Sequence, residues 1–144
     1  MKPAEAKRRL LKVLGSDGFV CVLSTVDAEG RPQSRYMGAL TIEKGKIVYM
    51  STYREARKVG QIRANPNVQI LGSTEHFAEI VGVSGQAAIE ESLAKKKAFW
   101  KAHPICATYF PGPDAPEFTL IKIALQSGEY TKTEESYAPV QVAF

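Results

Sequence analysis

Two hydroxyls followed by three basic side chains make Met50-Ser51-Thr52-Tyr53-Arg54-Glu55-Ala56-Arg57-Lys58 the segment best equipped for chemistry. Residues 47–52 read as a strand and roughly Glu55 to Ala64 as a helix, with Asn65-Pro66 as its stop. Arg54, Arg57 and Lys58 then stand at or inside the first helical turn. A helix N-terminus carries partial positive charge and favours acids by roughly 0.3–1 kcal/mol per residue. Three cations there are mildly destabilising unless an anion lies among them. Free N–H groups, the Ser51 and Thr52 hydroxyls and a guanidinium fork together suit a phosphate. The competing reading points these side chains to solvent and tolerates the dipole cost. Residues 47–68 are therefore expected to form a strand–turn–helix that holds a phosphate group.

Arg35 is the second candidate. It interrupts a strand between Ser34 and Tyr36-Met37-Gly38, where a charged residue is usually the outward partner of the alternation. If this second strand lies beside the third in a meander, Arg35 reaches the same cleft, and Gly38 lets a planar ligand approach the backbone.

Other constellations are weaker. Cys21 and Cys106 form no C-x-x-C pair and have no metal-ligand spacing; Cys21 reads as a small core residue, and a disulfide is not expected in a reducing cytosol. His76 and His103 lie far apart without neighbouring ligands, and both read as surface histidines. No metal site is expected. Ser24, Ser51, Ser84 and Ser127 lie in no nucleophile elbow, and no phosphate-binding glycine fingerprint occurs. Lys95-Lys96-Lys97 with Phe99 and Trp100 raises nucleic acid, but on a helix the lysines fan across the wet side while the aromatics turn inward.

The elements that must position these residues follow from the apolar pattern. An amphipathic first helix carries Ala6, Leu10, Leu11, Val13 and Leu14. Strands are expected over 19–26, 33–42, 47–52, 68–71, 77–89 and 118–125, the first three as an antiparallel meander joined by short Gly-bearing turns. Gly82, Ser84 and Gly85 suit the bends of a barrel, and Ser92 caps a helix running through Lys101. The fold class is mainly β: six strands in one small antiparallel or Greek-key barrel with flanking helices, a single domain over residues 1–144.

The chain of 144 residues is 44% apolar and 24% charged, the normal range for a soluble domain. Its apolar runs are too short to cross a bilayer, and its basic start lacks a signal core; no membrane partner is expected and the cytoplasm is the expected location. A net charge of +4 favours anionic partners without naming one.

Pro32-Gln33-Ser34-Arg35-Tyr36-Met37, Tyr49-Met50-Ser51-Thr52, Arg57-Lys58-Val59, Asn65-Pro66-Asn67-Val68 and Val83-Ser84-Gly85-Gln86-Ala87, in that order, resemble the signature of the pyridoxamine 5'-phosphate oxidase-like family of FMN-binding split barrels. The likeness runs from about residue 4 to about residue 130. The Tyr109-Phe110-Pro111 loop is most similar to its general-stress-protein branch. The resemblance implies a six-stranded Greek-key split barrel and a homodimer with FMN at the subunit interface. It implies Arg35, Tyr36 and Met37 along the flavin ring, Ser51 and Thr52 at the phosphate or ribityl chain, and Arg57 and Lys58 on the phosphate. Tyr130 would come from the partner subunit to cover the flavin.

Two departures bear on substrate. The flavin-contacting Gln of true pyridoxamine phosphate oxidases is matched by Ile80, and the terminal Arg-x-His motif is missing. The resemblance thus implies a flavin-dependent oxidoreductase of unknown substrate, not pyridoxamine phosphate oxidase proper, with NAD(P)H or another reductant at the open ring face. No catalytic acid or base presents itself. A non-catalytic flavin, deazaflavin or haem-binding stress protein using the same site is the alternative; nucleic-acid binding through the basic helices comes third and is not expected.

Overall fold

Along Cys21–Val26 (β1) burial alternates strictly, Cys21, Leu23 and Thr25 facing in, which is the period of two that a strand demands. The computed structural model describes all 144 residues. Seven further strands join β1 in one antiparallel sheet: β2 (Pro32–Met37), β3 (Leu40–Glu43), β4 (Ile47–Tyr53), β5 (Asn67–Ser73), β6 (Glu79–Glu90), β7 (Phe118–Lys132) and β8 (Val140–Ala143). Their order is β2-β1-β5-β6-β7-β4-β3, with β8 alongside β7. The mainly β architecture with flanking helices is as expected. The sheet nevertheless has eight strands rather than six, and it does not close.

Both extra strands have a local cause. The run expected as one strand over 33–42 breaks at Gly38-Ala39, because the chain changes partner there: β2 pairs only with β1, whereas β3 pairs with β4. The expected meander of three consecutive strands is therefore corrected. The last clear strand runs on to Lys132, and its second half pairs with a short terminal strand that no turn signal announced. The small residues of β6 do mark an irregularity, since the register with β7 shifts between Ser84 and Gly85. A Cβ on Gly85 would lie 2.2 Å from the Ala124 carbonyl oxygen, so only glycine fits.

The inward faces of the strands enclose the main core, built on Leu23, Met50, Ile70, Val81, Ile121 and Ile123, among others. Helix α1 (Pro3–Leu14) seals it with Ala6, Leu10, Val13 and Leu14, one helical stripe. A second, smaller core lies on the other face of β4 and β7, where α3 (Leu93–Ala102) and α4 (Cys106–Tyr109) pack Phe99, Cys106 and Phe110 onto Tyr49, Phe118 and Leu120. Ser92 caps α3 by accepting from the Lys95 N–H. Both cysteines are free and buried, and burial pushes the Cys21 thiol up to about 11. Helix α2 (Arg57–Ala64) follows β4 directly. It starts two residues later than expected because Ala56 N–H closes a turn onto Tyr53 O.

Candidate functional site

Helix α2 begins without a cap. Its N-cap residue is Ala56, no side chain satisfies the first N–H groups, and no acid occupies the first turn. Arg57 and Lys58 hold the first two helical positions instead. Lys58 folds back so that its Nζ donates to Thr52 Oγ1 at 2.9 Å, which ties the helix start to the end of β4. Desolvation, and after it the nearby Arg35, holds the Lys58 ammonium below its ordinary value.

Arg35 does not face solvent. Its register partner is Leu23, and Met37 two residues on is buried, so Arg35 lies on the inward face of β2 at the mouth of the barrel. Its guanidinium donates to Leu23 O (3.2 Å), Thr25 Oγ1 (2.8 Å) and Gln61 Oε1 (3.2 Å). Thr25 in turn donates to Gln61. All three acceptors are neutral. Burial, and then repulsion from Arg57, lowers the Arg35 pKa from the usual guanidinium value. Arg35 thus lies close enough to Arg57 and to Lys58 for repulsion, and none of the protein's ion pairs reaches any of the three. Positive charge packed together without an acid raises the energy of the empty site, and an anion relieves it.

A cleft of about 720 Å³ opens beside this cluster. Tyr36, Met37, Ser51, Thr52 and Lys58 all line it, so five of the residues expected in the site are brought together there. Arg35 stands behind it, and Arg57 lines a shallow depression shared with Arg54, Glu55 and Arg63. The rest of the lining escaped sequence reading: the α1–β1 turn from Gly15 to Val20 and the α3–α4 turn from Ala102 to Ile105. Thr25 and Gln61 were also missed as partners of Arg35. The one available signal was Gln61 standing four residues after Arg57 on the same helix, which puts both on one face.

Tyr130 is not part of this assembly. It is fully buried in its own core, opposite Val81, and its hydroxyl donates to Glu79 with Arg9 close by. A ring without exposed surface cannot cover a partner's cofactor, and the expectation for Tyr130 is corrected. Tyr130→Phe is expected to cost about 1.5–3 kcal/mol of folding stability, the range for a hydrogen bond to a charged group, in a denaturant titration. FMN affinity should stay within about twofold. A large loss of affinity at unchanged stability would return Tyr130 to the site.

The open antiparallel sheet with flanking helices is of the split-barrel-like type. The chain belongs to the pyridoxamine 5'-phosphate oxidase-like family, which matches residues 5–144. Within that family it is similar to General stress protein 26 of Bacillus subtilis (strain 168), at 33% identity over 126 residues, covering 85% of this chain and 86% of the relative. General Stress Protein 26 of Bacillus anthracis str. Sterne superposes with a TM-score of 0.80 at 27% identity, over 96% of this chain and 98% of that one. The likeness to Pyridoxine/pyridoxamine 5'-phosphate oxidase of Legionella pneumophila (strain Lens) is narrower: 30% identity over 90 residues, 62% of this chain and 41% of that protein.

Proposed function

We propose that this chain binds FMN, as a homodimer, and works as a flavin-dependent oxidoreductase on a substrate other than pyridoxamine phosphate. One observation carries the reading: Arg35, Arg57 and Lys58 stand around an uncapped helix start and none of them has an ion-pair partner. The residues present fit the cofactor. Lys58 and the free N–H groups of α2 take the phosphate, with Arg57 alongside and Arg35 as a fixed positive charge behind. Ser51 and Thr52 stand where a ribityl chain would leave it, and the Tyr36-Met37 backbone at the cleft wall would flank the ring. Bound FMN would supply hydride or electron transfer, while the protein supplies anchoring, orientation and the positive pole.

The dimer is supported by the outer face of β2, β1 and β5, which no helix covers. There Tyr36, Val22 and Leu71 form one cross-strand row, and Ser34, Ser24 and Gln69 the next. Neither row carries a charge, and Tyr36 is 81% exposed. A flat uncharged surface of this kind matches a second copy of itself.

Titration of the purified protein with FMN and with riboflavin, followed by flavin fluorescence and by sedimentation, tests both parts. FMN is expected to bind at least tenfold more tightly than riboflavin, about 1.4 kcal/mol for the phosphate, and the binding species to sediment as a dimer. Raised salt should weaken FMN far more than riboflavin. A protein that takes up neither ligand overturns the flavin reading, and a binding-competent monomer overturns the dimer.

A further inference from the structure

The cleft is longer than a phosphate anchor needs, and its two ends differ in chemistry. Thr52 and Lys58 mark the cationic end. At the other end the α3–α4 turn faces Gly38–Leu40 and the α1–β1 turn, and the walls are Leu14, Phe19, Val20, Ala39, Leu40 and Ile105. No cation lines this end. Asp17 lies at its rim, which disfavours a second anion.

His103 sits in this apolar end, although its sequence context suggested a surface residue. The imidazole is held on two sides. Its ring packs on Phe99 with centroids 4.4 Å apart, and Nε2 shares a 2.8 Å hydrogen bond with Thr41 Oγ1 on β3. Nδ1 has no protein partner. No buried polar side-chain atom in the protein is left unpaired, so Nδ1 is accessible, on a residue that lines the cleft. Burial lowers the His103 pKa, which keeps the ring neutral near neutral pH. Thr41 Oγ1 and Nε2 can share this bond in either direction; where Thr41 donates, the remaining proton is on Nδ1.

We propose that Thr41 is the donor to His103 Nε2 and that this end of the cleft is a separate subsite for an uncharged aromatic carbonyl compound, whose ring lies on the apolar wall and whose oxygen accepts a hydrogen bond from His103 Nδ1–H. As a substrate site it rests on the flavin reading and names the substrate class; as a binding site it does not depend on it. Apolar walls with one convergent donor are the usual make-up of a small-molecule pocket, and that donor selects for the carbonyl.

The probe is prodan, an uncharged dimethylaminonaphthyl ketone whose emission moves to the blue out of water; dimethylaminonaphthalene is its carbonyl-free counterpart. Equilibrium dialysis gives the affinities with and without saturating FMN. The native protein is expected to prefer the ketone by about tenfold, or about 1.4 kcal/mol. His103→Phe keeps the ring on Phe99 and should abolish that preference while leaving the hydrocarbon's affinity unchanged. Equal binding of the two probes by the native protein overturns the proposal without recourse to any variant. So does a preference that survives His103→Phe, or displacement of the ketone by FMN. Retained ketone preference in a protein that binds no FMN supports the subsite and overturns only the flavin reading.

Discussion

Replacing Arg57 and Lys58 together by alanine is expected to weaken FMN by about a hundredfold or more, and riboflavin by less than about threefold. The size follows from the charge-assisted bonds that are lost, each about 1.5–3 kcal/mol, discounted at Arg57 because its side chain is exposed. The contrast between the two ligands matters more than either number, because only the phosphate distinguishes them. The apoprotein should lose little stability. In the empty site Lys58 is desolvated and repelled by Arg35, so its folded pKa lies below the unfolded value. For a lysine that sign means the charged form is disfavoured by folding. The cost is fully present below the folded pKa and fades as pH rises through it toward the unfolded value. Removing the charge removes that cost, which offsets the lost packing of the Lys58 stem and its bond to Thr52. Flavin fluorescence titration and thermal melts of the apoprotein check both halves. Equal loss of FMN and riboflavin would mean that the pair does not hold the phosphate.

The segment carrying this prediction was readable from sequence because its signal is local. Helix polarity, the three basic side chains and the Ser51-Thr52 pair all lie within eight residues, and no tertiary information was needed. Arg35 shows where such reading stops. Alternation along 32–37 divides the residues between two faces but does not say which face is inside; pairing with Leu23 decides it, and that is a property of the assembled sheet. The break at Gly38 has the same origin, since a chain that changes partner strand without turning sharply leaves no turn signature. His103 and the α1–β1 turn were invisible for a related reason. They belong to connections between elements, and their approach to β3 and β4 is fixed by how α3 packs rather than by any periodicity. Tyr130 is a different case, in which a role carried over by position met a side chain that this sequence uses to fill its core.

Phe118→Ala is expected to destabilise the protein by about 3–5 kcal/mol, the range for truncating a fully buried phenylalanine, and to lower its melting point by about 10 °C. Phe118 has no exposed surface and is the centre of the smaller core, its ring 4.9 Å from Phe110 and 5.6 Å from Trp100. That cluster is separate from the barrel interior and fastens α3 and α4 to the sheet. The damage should accordingly be uneven. Trp100, the only tryptophan, reports on this layer, so its fluorescence should change before the far-ultraviolet strand signal on mild heating. The α3–α4 turn forms one wall of the cleft, so FMN and riboflavin should both bind less well. Their ratio should stay at the native value, because Arg35, Arg57 and Lys58 stand on β2 and α2, outside the cluster. Separate melting of wall and barrel together with an unchanged ratio would show that the phosphate anchor and the apolar wall are independent parts of one site. A collapse of the ratio would show instead that the anchor is positioned through the smaller core.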